Sequence, residues 1–411
     1  MKKNNKAFSN ESKNNKTILV FSPYYPPHIG GLETHSYEFN EELSKKHFAI
    51  NVLTPRLPIN ASKMEEQNNR VTIYRFPAFE IIPNYPVPKI WKKEFWSILS
   101  KSTKNKPNVV ISRTRFFLTS PMALLYSKLK RIPWMHIEHG SDYIKMANPF
   151  VNLVGLLYDF TVGFLVFRLS TINIAISKDV KTFINKFDKR NVPVIYRGVK
   201  VEQIIKQPED KEFRLRYKNK IILGFVGRLI DGKGVQDLII AITKLPPDLT
   251  NNIQVIIVGD GSYKEVLENL IAENDLNNKV YFTGIVDQMK AISYLKTFDI
   301  FINPSYTEGL PSAVLEAALC KRAIIATDIG GTSEIILNEN MGLLFKPKDI
   351  DMLVKHITYL VNDENRRHAL GNNAYKYVTR EFNWENSIIL YKKYINLIAA
   401  VDNCKTIPNF I

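Results

Sequence analysis

The chain has 411 residues, 45% hydrophobic and 23% charged, which excludes a disordered or fibrous chain and leaves room for two or more cored domains. Two cysteines, Cys320 and Cys404, exclude a disulfide framework and fit a reducing compartment. The net charge of +16 is lopsided: residues 1–200 hold 31 Lys and Arg against 14 Asp and Glu, and the rest 25 against 26. A one-sided basic surface suits a polyanion, whether nucleic acid, anionic lipid head groups or a diphosphate. No Cys/His finger or RNP-like aromatic motif supports nucleic acid, which is set aside as a partner.

In chain order, residues 1–16 are polar, basic and low in complexity, without the apolar core of a signal peptide. They read as a disordered tail on a cytoplasmic protein. The apolar run 17–22 predicts a buried parallel strand, the Pro- and Gly-rich loop after it ends at Gly31, and helical spacing from Leu32 to Lys46 turns Leu32, Ser36 or Tyr37, Phe39 and Leu43 inward. Strand, glycine loop and helix together open a doubly wound sheet. Further strands are expected at 49–53, 71–75, 108–111, 133–137, 172–176 and 192–199. Beyond a charged stretch at 206–220 the alternation restarts, with strands at 221–226, 253–258, 279–282, 299–302 and 323–326 and helices at 234–244 and 262–273. An amphipathic helix at 383–399, capped by Asn383, closes the chain. The expected parts are therefore a tail (1–16), an N-terminal domain (17–197), a C-terminal domain (198–382) and a terminal segment (383–411) packing back on the first domain.

Two segments bear on membranes. Residues 149–169 are strongly apolar but carry Asn152, Asp159 and Arg168, so a spanning helix is rejected; a core helix and a helix lying in the bilayer interface both remain open. In 89–101, helical spacing puts Trp91, Phe95 and Ile98 on one face, with Lys89, Lys92 and Lys93 around it and Trp96 at its boundary. Aromatic and basic residues together suit a peripheral contact with an anionic inner leaflet.

Glycine turns after strands, at Gly30-Gly31, Gly227 to Gly234, Gly259 to Gly261 and Gly330-Gly331, aim backbone amides at one rim of a parallel sheet, where phosphate is favoured. Arg228 and Lys233 flank one of them and can neutralise a diphosphate leaving group. Glu308 and Glu316, with seven residues between them, follow a strand and enter a helix. Such a pair can hold hydroxyls at two ends of one ligand, or serve as a glycosidase acid and nucleophile.

These segments together resemble the family-4 retaining glycosyltransferases of the GT-B fold. The resemblance rests on Pro-x-x-Gly-Gly-x-Glu-x-His (27–35), Glu-His-Gly-Ser-Asp (138–142), Gly-Arg-Leu-x-x-x-Lys-Gly (227–234), Val-Gly-Asp-Gly (258–261), Phe-Thr-Gly (282–284), the Glu308–Glu316 segment and Gly-Gly-x-x-Glu (330–334). It spans nearly the whole chain. It implies an α/β architecture of two Rossmann-like, doubly wound domains facing a central cleft. Transfer would run from a UDP- or GDP-sugar to an acceptor hydroxyl with retention, without metal or other cofactor. Catalytic roles would fall to His139, Arg228, Lys233 and Glu308, and donor binding to Gly30, Gly31, Gly227, Gly261, Gly309, Leu310, Pro311 and Glu316. The expected acceptor is a lipid-linked glycan or polyprenyl-diphosphate-linked sugar in cell-surface polysaccharide assembly. A relative that hydrolyses or epimerises the nucleotide-sugar is the alternative. Two departures stand out. Glu-Gly-Leu-Pro (308–311) replaces the commoner Glu-Gly-Phe-Gly, and Arg197-Gly198-Val199-Lys200 replaces Asn-Gly-Val-Asp, which is expected to enlarge the basic face.

Overall fold

A computed structural model describes residues 16–28, 30–82, 85–143 and 149–400. The tail expected at 1–16, apart from Lys16, lies outside the described residues, as does Cys404. The described residues pack into two compact units, one drawn from 16–137, 156–173 and 390–400, the other from 138–155 and 174–389. The division therefore crosses the chain several times, where the sequence suggests one cut near 197.

In the first unit the strands are β1 (Thr17–Phe21), β2 (Ala49–Pro55), β3 (Met64–Asn68), β4 (Val71–Phe76), β5 (Ala78–Ile82), β6 (Tyr85–Pro88), β7 (Val109–Arg113), β8 (Trp134–Glu138) and β9 (Ile172–Ala175). Among the described residues seven of them form a sheet in the order β3-β4-β2-β1-β7-β8-β9, and β5 and β6 make a separate hairpin. The parallel pairs β1–β2 and β1–β7 lie either side of β1, so the winding reverses there. Sequence periodicity misses β3 because it is a polar, largely exposed edge strand, antiparallel to β4. The strand expected at 192–199 does not form. Pro193 lacks an amide, and pairing is limited to isolated bridges: Val194 with Ala175, where Ala175 N donates to Pro193 O (3.0 Å) and Ile195 N to Ala175 O (2.9 Å), and Val199 with Asn383.

Helix α1 (Gly31–Ser44) turns Phe39 and Leu43 inward as expected, but it also buries Glu33, His35, Glu38 and Asn40. Partners make that polar stripe tolerable: Asn40 Nδ2 donates to Tyr25 Oη (3.2 Å), and His35 Nδ1 lies 3.1 Å from the buried Arg113 guanidinium. Arg113 also sits 4.4 Å above the Phe39 ring, which meets Tyr391 of the last helix (Trp384–Ala399) edge-on at 4.8 Å. Asn383 caps that helix, its Oδ1 accepting from Asn386 N (2.9 Å).

The rest of the helical layer is α2 (Lys93–Ser102), α3 (Thr119–Lys130), the end of α4 (Pro149–Tyr158, of which 149–155 fall to the other unit), a π-helical turn (Asp159–Gly163) and α5 (Phe164–Leu169). Phe95 and Ile98 of α2, Ala123 and Leu124 of α3 and Val166 of α5 share one core with Leu19, Phe21, Val110 and Trp134 of the sheet. This corrects the reading of 89–101. Phe95 and Ile98 face the protein, Trp91 precedes the helix and packs on Phe79 (6.0 Å), and Trp96 is the aromatic that α2 exposes.

Residues 152–169 are long and apolar enough to cross a membrane by composition, with a mean hydropathy of 1.4 and 28% of the stretch buried. Asp159 at its centre is fully buried and receives Arg115 through two hydrogen bonds, Nε to Oδ1 (2.9 Å) and Nη2 to Oδ2 (3.1 Å). Tyr158 Oη adds a bond to Arg115 O (3.0 Å). A paired, desolvated carboxylate pins the helix to its own domain and leaves its apolar outer side uncovered.

The second unit holds β10 (Ile221–Val226), β11 (Ile253–Val258), β12 (Val280–Gly284), β13 (Ile300–Asn303), β14 (Ala323–Thr327) and β15 (Leu343–Phe345). They form a sheet in the order β12-β11-β10-β13-β14-β15, with every recorded pairing parallel. Near-continuous burial along β11, β13 and β14 follows from helices on both faces. The order reverses between β10 and β13, which makes their carboxyl ends the expected ligand rim.

Removing one partner of the Arg115–Asp159 pair should be costly, because the survivor stays buried and charged. Asp159→Ala is expected to lose about 3–5 kcal/mol in urea unfolding, and the double change Arg115→Met, Asp159→Leu to recover most of it. A single variant as stable as wild type would contradict the pinning role.

Candidate active site

The loops leaving β10, β11, β13 and β14 meet on the carboxyl rim of the second sheet. Gly227 N donates to Val258 O (3.0 Å), Leu229 N to Asp260 O (2.9 Å) and Tyr263 N to Leu229 O (2.9 Å), so the Gly227 and Gly261 loops are zipped together. The loop after β13 is tied in by Tyr306 N donating to Gly232 O (2.8 Å). Gly234 lies at φ +65° with the Pro304 carbonyl where a side chain would go: a Cβ would sit 2.0 Å from that oxygen. Only glycine fits there.

This weld places Lys233 Nζ 2.7 Å from Glu308 Oε1, with both side chains mostly buried. Arg228 is exposed on the same loop. Gly309 abuts His139, since a Cβ on it would lie 2.0 Å from His139 O, and Ser141 Oγ donates to Glu308 O (2.7 Å). His139 N and Gly140 N both donate to the buried Glu138 carboxylate (2.9 and 2.7 Å). Leu310 is buried and Pro311 is the N-cap residue of the helix Ser312–Leu319, in which Glu316 accepts from Gln288 Nε2 (2.9 Å). Lys233, Glu308, Gly309 and His139 are thus brought together. Glu316 is held separately by the helix Gln288–Leu295. Gly30 and Gly31 belong to the first unit, where the Gly30 carbonyl accepts from Thr34 N and Thr34 Oγ1 (both 3.1 Å) and opens α1.

Residues 29–203 match the family described as Glycosyltransferase Family 4, and residues 206–377 the family Glycosyl transferases group 1. An uncharacterized glycosyltransferase of Methanocaldococcus jannaschii is 41% identical over 382 residues, 92% of this chain and 97% of that protein. The chain is a family-4 glycosyltransferase of the GT-B fold. The glycosyltransferase is also 26% identical over 411 residues to the putative teichuronic acid biosynthesis glycosyltransferase TuaC of Bacillus subtilis, covering 92% and 97% of the two chains. Its fold matches the crystal structure of Anabaena HepE in complex with UDP at a TM-score of 0.72 and 18% identity, over 93% and 100% of the two chains.

Several supporting residues escape the motif reading. Tyr306 Oη donates to Asp237 Oδ1 (2.8 Å) and receives Gln236 Nε2 (3.0 Å), joining the helix after Lys233 to the loop before Glu308. Tyr306 lies inside the 303–316 segment, so its position was visible and its partner was not. Arg197 is buried and donates to Ser312 Oγ, so it belongs to no basic face, contrary to the expectation from sequence. Glu334 of the Gly-Gly-x-x-Glu motif is engaged structurally, accepting from Lys178 N (2.7 Å) and Tyr196 Oη (2.8 Å).

Burial holds the Asp237 carboxyl above its ordinary range, partly offset by the Tyr306 hydroxyl, and burial and Asp237 together raise the Tyr306 phenol. A folded pKa above the unfolded one favours the fold in acid, and that contribution is lost as pH rises through the folded value. Asn in its place still accepts the Tyr306 hydroxyl and carries no ionisation penalty. The melting temperature of Asp237→Asn relative to wild type should therefore rise between about pH 4 and pH 7. A difference flat across that range would contradict the burial cause.

Proposed function

We propose that the glycosyltransferase moves a sugar from a nucleoside-diphosphate sugar to the hydroxyl of a lipid-linked glycan, with retention and without a metal ion, at the inner face of the plasma membrane. The observation that carries the reading is the Lys233–Glu308 contact on the rim where the second sheet reverses. It sets a cation for the departing diphosphate beside a carboxylate for the sugar hydroxyls. The UDP bound by Anabaena HepE and the teichuronic acid role named for the Bacillus subtilis relative support the substrate classes.

In this reading Arg228 and Lys233 hold the diphosphate, while Gly227, whose amide is bonded to Val258 O, and Gly261 let their loops close against each other beside it. Gly30 and Gly31 are assigned to the same ligand on the motif alone. Glu308 and the backbone of Gly309, Leu310 and Pro311 hold the transferred sugar, His139 lies beside the reacting bond and Glu316 takes the ribose. The anomeric carbon–oxygen bond to the diphosphate breaks and the acceptor oxygen bonds to the same face. The acceptor proton passes to the departing phosphate oxygen. The two cations stabilise the leaving charge, the task a divalent ion would otherwise perform.

The membrane part rests on the helical layer of the first unit. Trp96, Leu125, Leu129, Leu157, Phe160 and Phe164 are exposed on it, among the exposed cations Lys93, Lys101, Lys128, Lys130 and Arg131. Among the described residues of these helices the acids are Glu94, paired with Arg56 and Lys63 (2.9 Å each), and the buried Asp159. Apolar side chains within a field of uncancelled cations suit an anionic bilayer surface.

A thermal-shift screen over UDP-, GDP- and ADP-sugars should show one stabilising donor. Glu316→Ala should weaken that donor's binding by roughly 10-fold or more, the value of a hydrogen bond to a charged group. Lys233→Ala should lower transfer by about 10²–10³-fold with EDTA lacking effect on wild type. Wild-type turnover in Lys233→Ala would remove its role, and rapid turnover of donor without acceptor would favour hydrolysis. Flotation with anionic vesicles should succeed at low salt and weaken at high salt; failure at low salt would end the membrane reading.

A further inference from the structure

A cavity of about 240 Å³ opens where β2 and β4 begin and α2 ends, lined by Arg70, Lys101, Lys104, Asn51, Asn69 and Asn105 among others. No carboxylate lines it among the described residues. It lies at the amino ends of β2 and β4, away from the carboxyl rims where α/β sheets bind substrate. Nothing in the proposed transfer uses it.

Lys101 and Lys104 repel each other across this cavity unless an anion joins them, and Arg70, itself engaged, adds a third positive group. The carboxyl end of α2 opposes an anion, but a helix end carries only about half a negative charge against three whole positive ones. The Asn69 and Asn105 side chains add neutral donors beside the charges, while Asn51 Nδ2 already donates to Ser102 O (2.7 Å). That combination fits a phosphate oxygen cluster better than a carboxylate, because phosphate offers more acceptors and, as a monoester, about two charges at neutral pH. Position narrows the source. Lys101 shares the exposed side of α2 with Trp96, Ser97 and Ser100. Five residues of helix place Lys101 roughly 8 Å along the axis from Trp96. A tryptophan resting at head-group depth would carry the cavity to the level of lipid phosphates.

We infer that this cavity is a head-group site for a lipid phosphomonoester, which fixes the rotation of the first unit on the membrane. The inference rests on the membrane reading above, which supplies the surface. Its content is separate: selectivity among anionic lipids, exerted by Arg70, Lys101 and Lys104.

The test compares phosphatidylcholine vesicles containing phosphatidic acid with vesicles containing twice as much phosphatidylglycerol, so that surface charge is matched. Wild type should bind the phosphatidic acid vesicles about 10-fold more tightly, and Lys101→Gln/Lys104→Gln should lose that preference while still binding phosphatidylglycerol. Lys128→Gln/Lys130→Gln removes the same charge elsewhere on the layer and should weaken both lipids alike. Equal binding by wild type, or a preference surviving Lys101→Gln/Lys104→Gln, overturns the site and leaves the membrane reading intact. No binding to either vesicle removes both. A thermal shift by glycerol 3-phosphate that needs Lys101 and Lys104, without any vesicle preference, would assign the cavity to a soluble phosphomonoester and overturn the lipid assignment.

Discussion

One main-chain hydrogen bond, from Tyr306 N to Gly232 O at 2.8 Å, ties the Lys233 loop to the Glu308 loop on the candidate rim of the second unit. It joins the loop after β10 to the loop after β13, strands that are neighbours only because the sheet reverses between them. The Tyr306 side chain repeats the tie through Asp237, and Gly234 permits it by leaving room for the Pro304 carbonyl. Without that double attachment Lys233 and Glu308 would be side chains on two separate loops. With it they form a fixed pair of opposite charge, so in the proposed reaction an arriving diphosphate would give the lysine another anionic partner with little reorganisation of either loop.

Charge is arranged differently in the first unit. Its buried guanidinium groups, Arg75, Arg113 and Arg115, are each spent internally: on Glu65 and backbone carbonyls, on His35 and the Phe39 ring, and on Asp159. The lysines remain outside. The surplus of the first half of the chain is therefore not spread evenly, and the helical layer carries a large share of it beside uncovered leucine and phenylalanine side chains.

Much of this was legible in the residues. Both parallel sheets announce themselves as short apolar runs before glycine turns, and the motif glycines mark where loops cross at close range. What was hidden has physical causes. β3 is polar after Met64 because an edge strand facing water has no apolar period to show. The run 192–199 looks like a strand by composition, yet Pro193 denies the ladder a donor. Helical spacing identified an apolar face near 89–101 without saying that it faces inward, since an interfacial helix and a packed one share the same period. The role of Tyr306 depends on a partner about seventy residues away, and no local pattern encodes such a pairing.

The last helix has a further meaning for how the protein is made. Its residues to 389 belong to the second unit, and those from 390 onward complete the first, with Tyr391, Ile395 and Ile398 fully buried. Phe39 of α1 therefore waits for its Tyr391 partner until a stretch of about 350 residues, the second unit among them, has been synthesised.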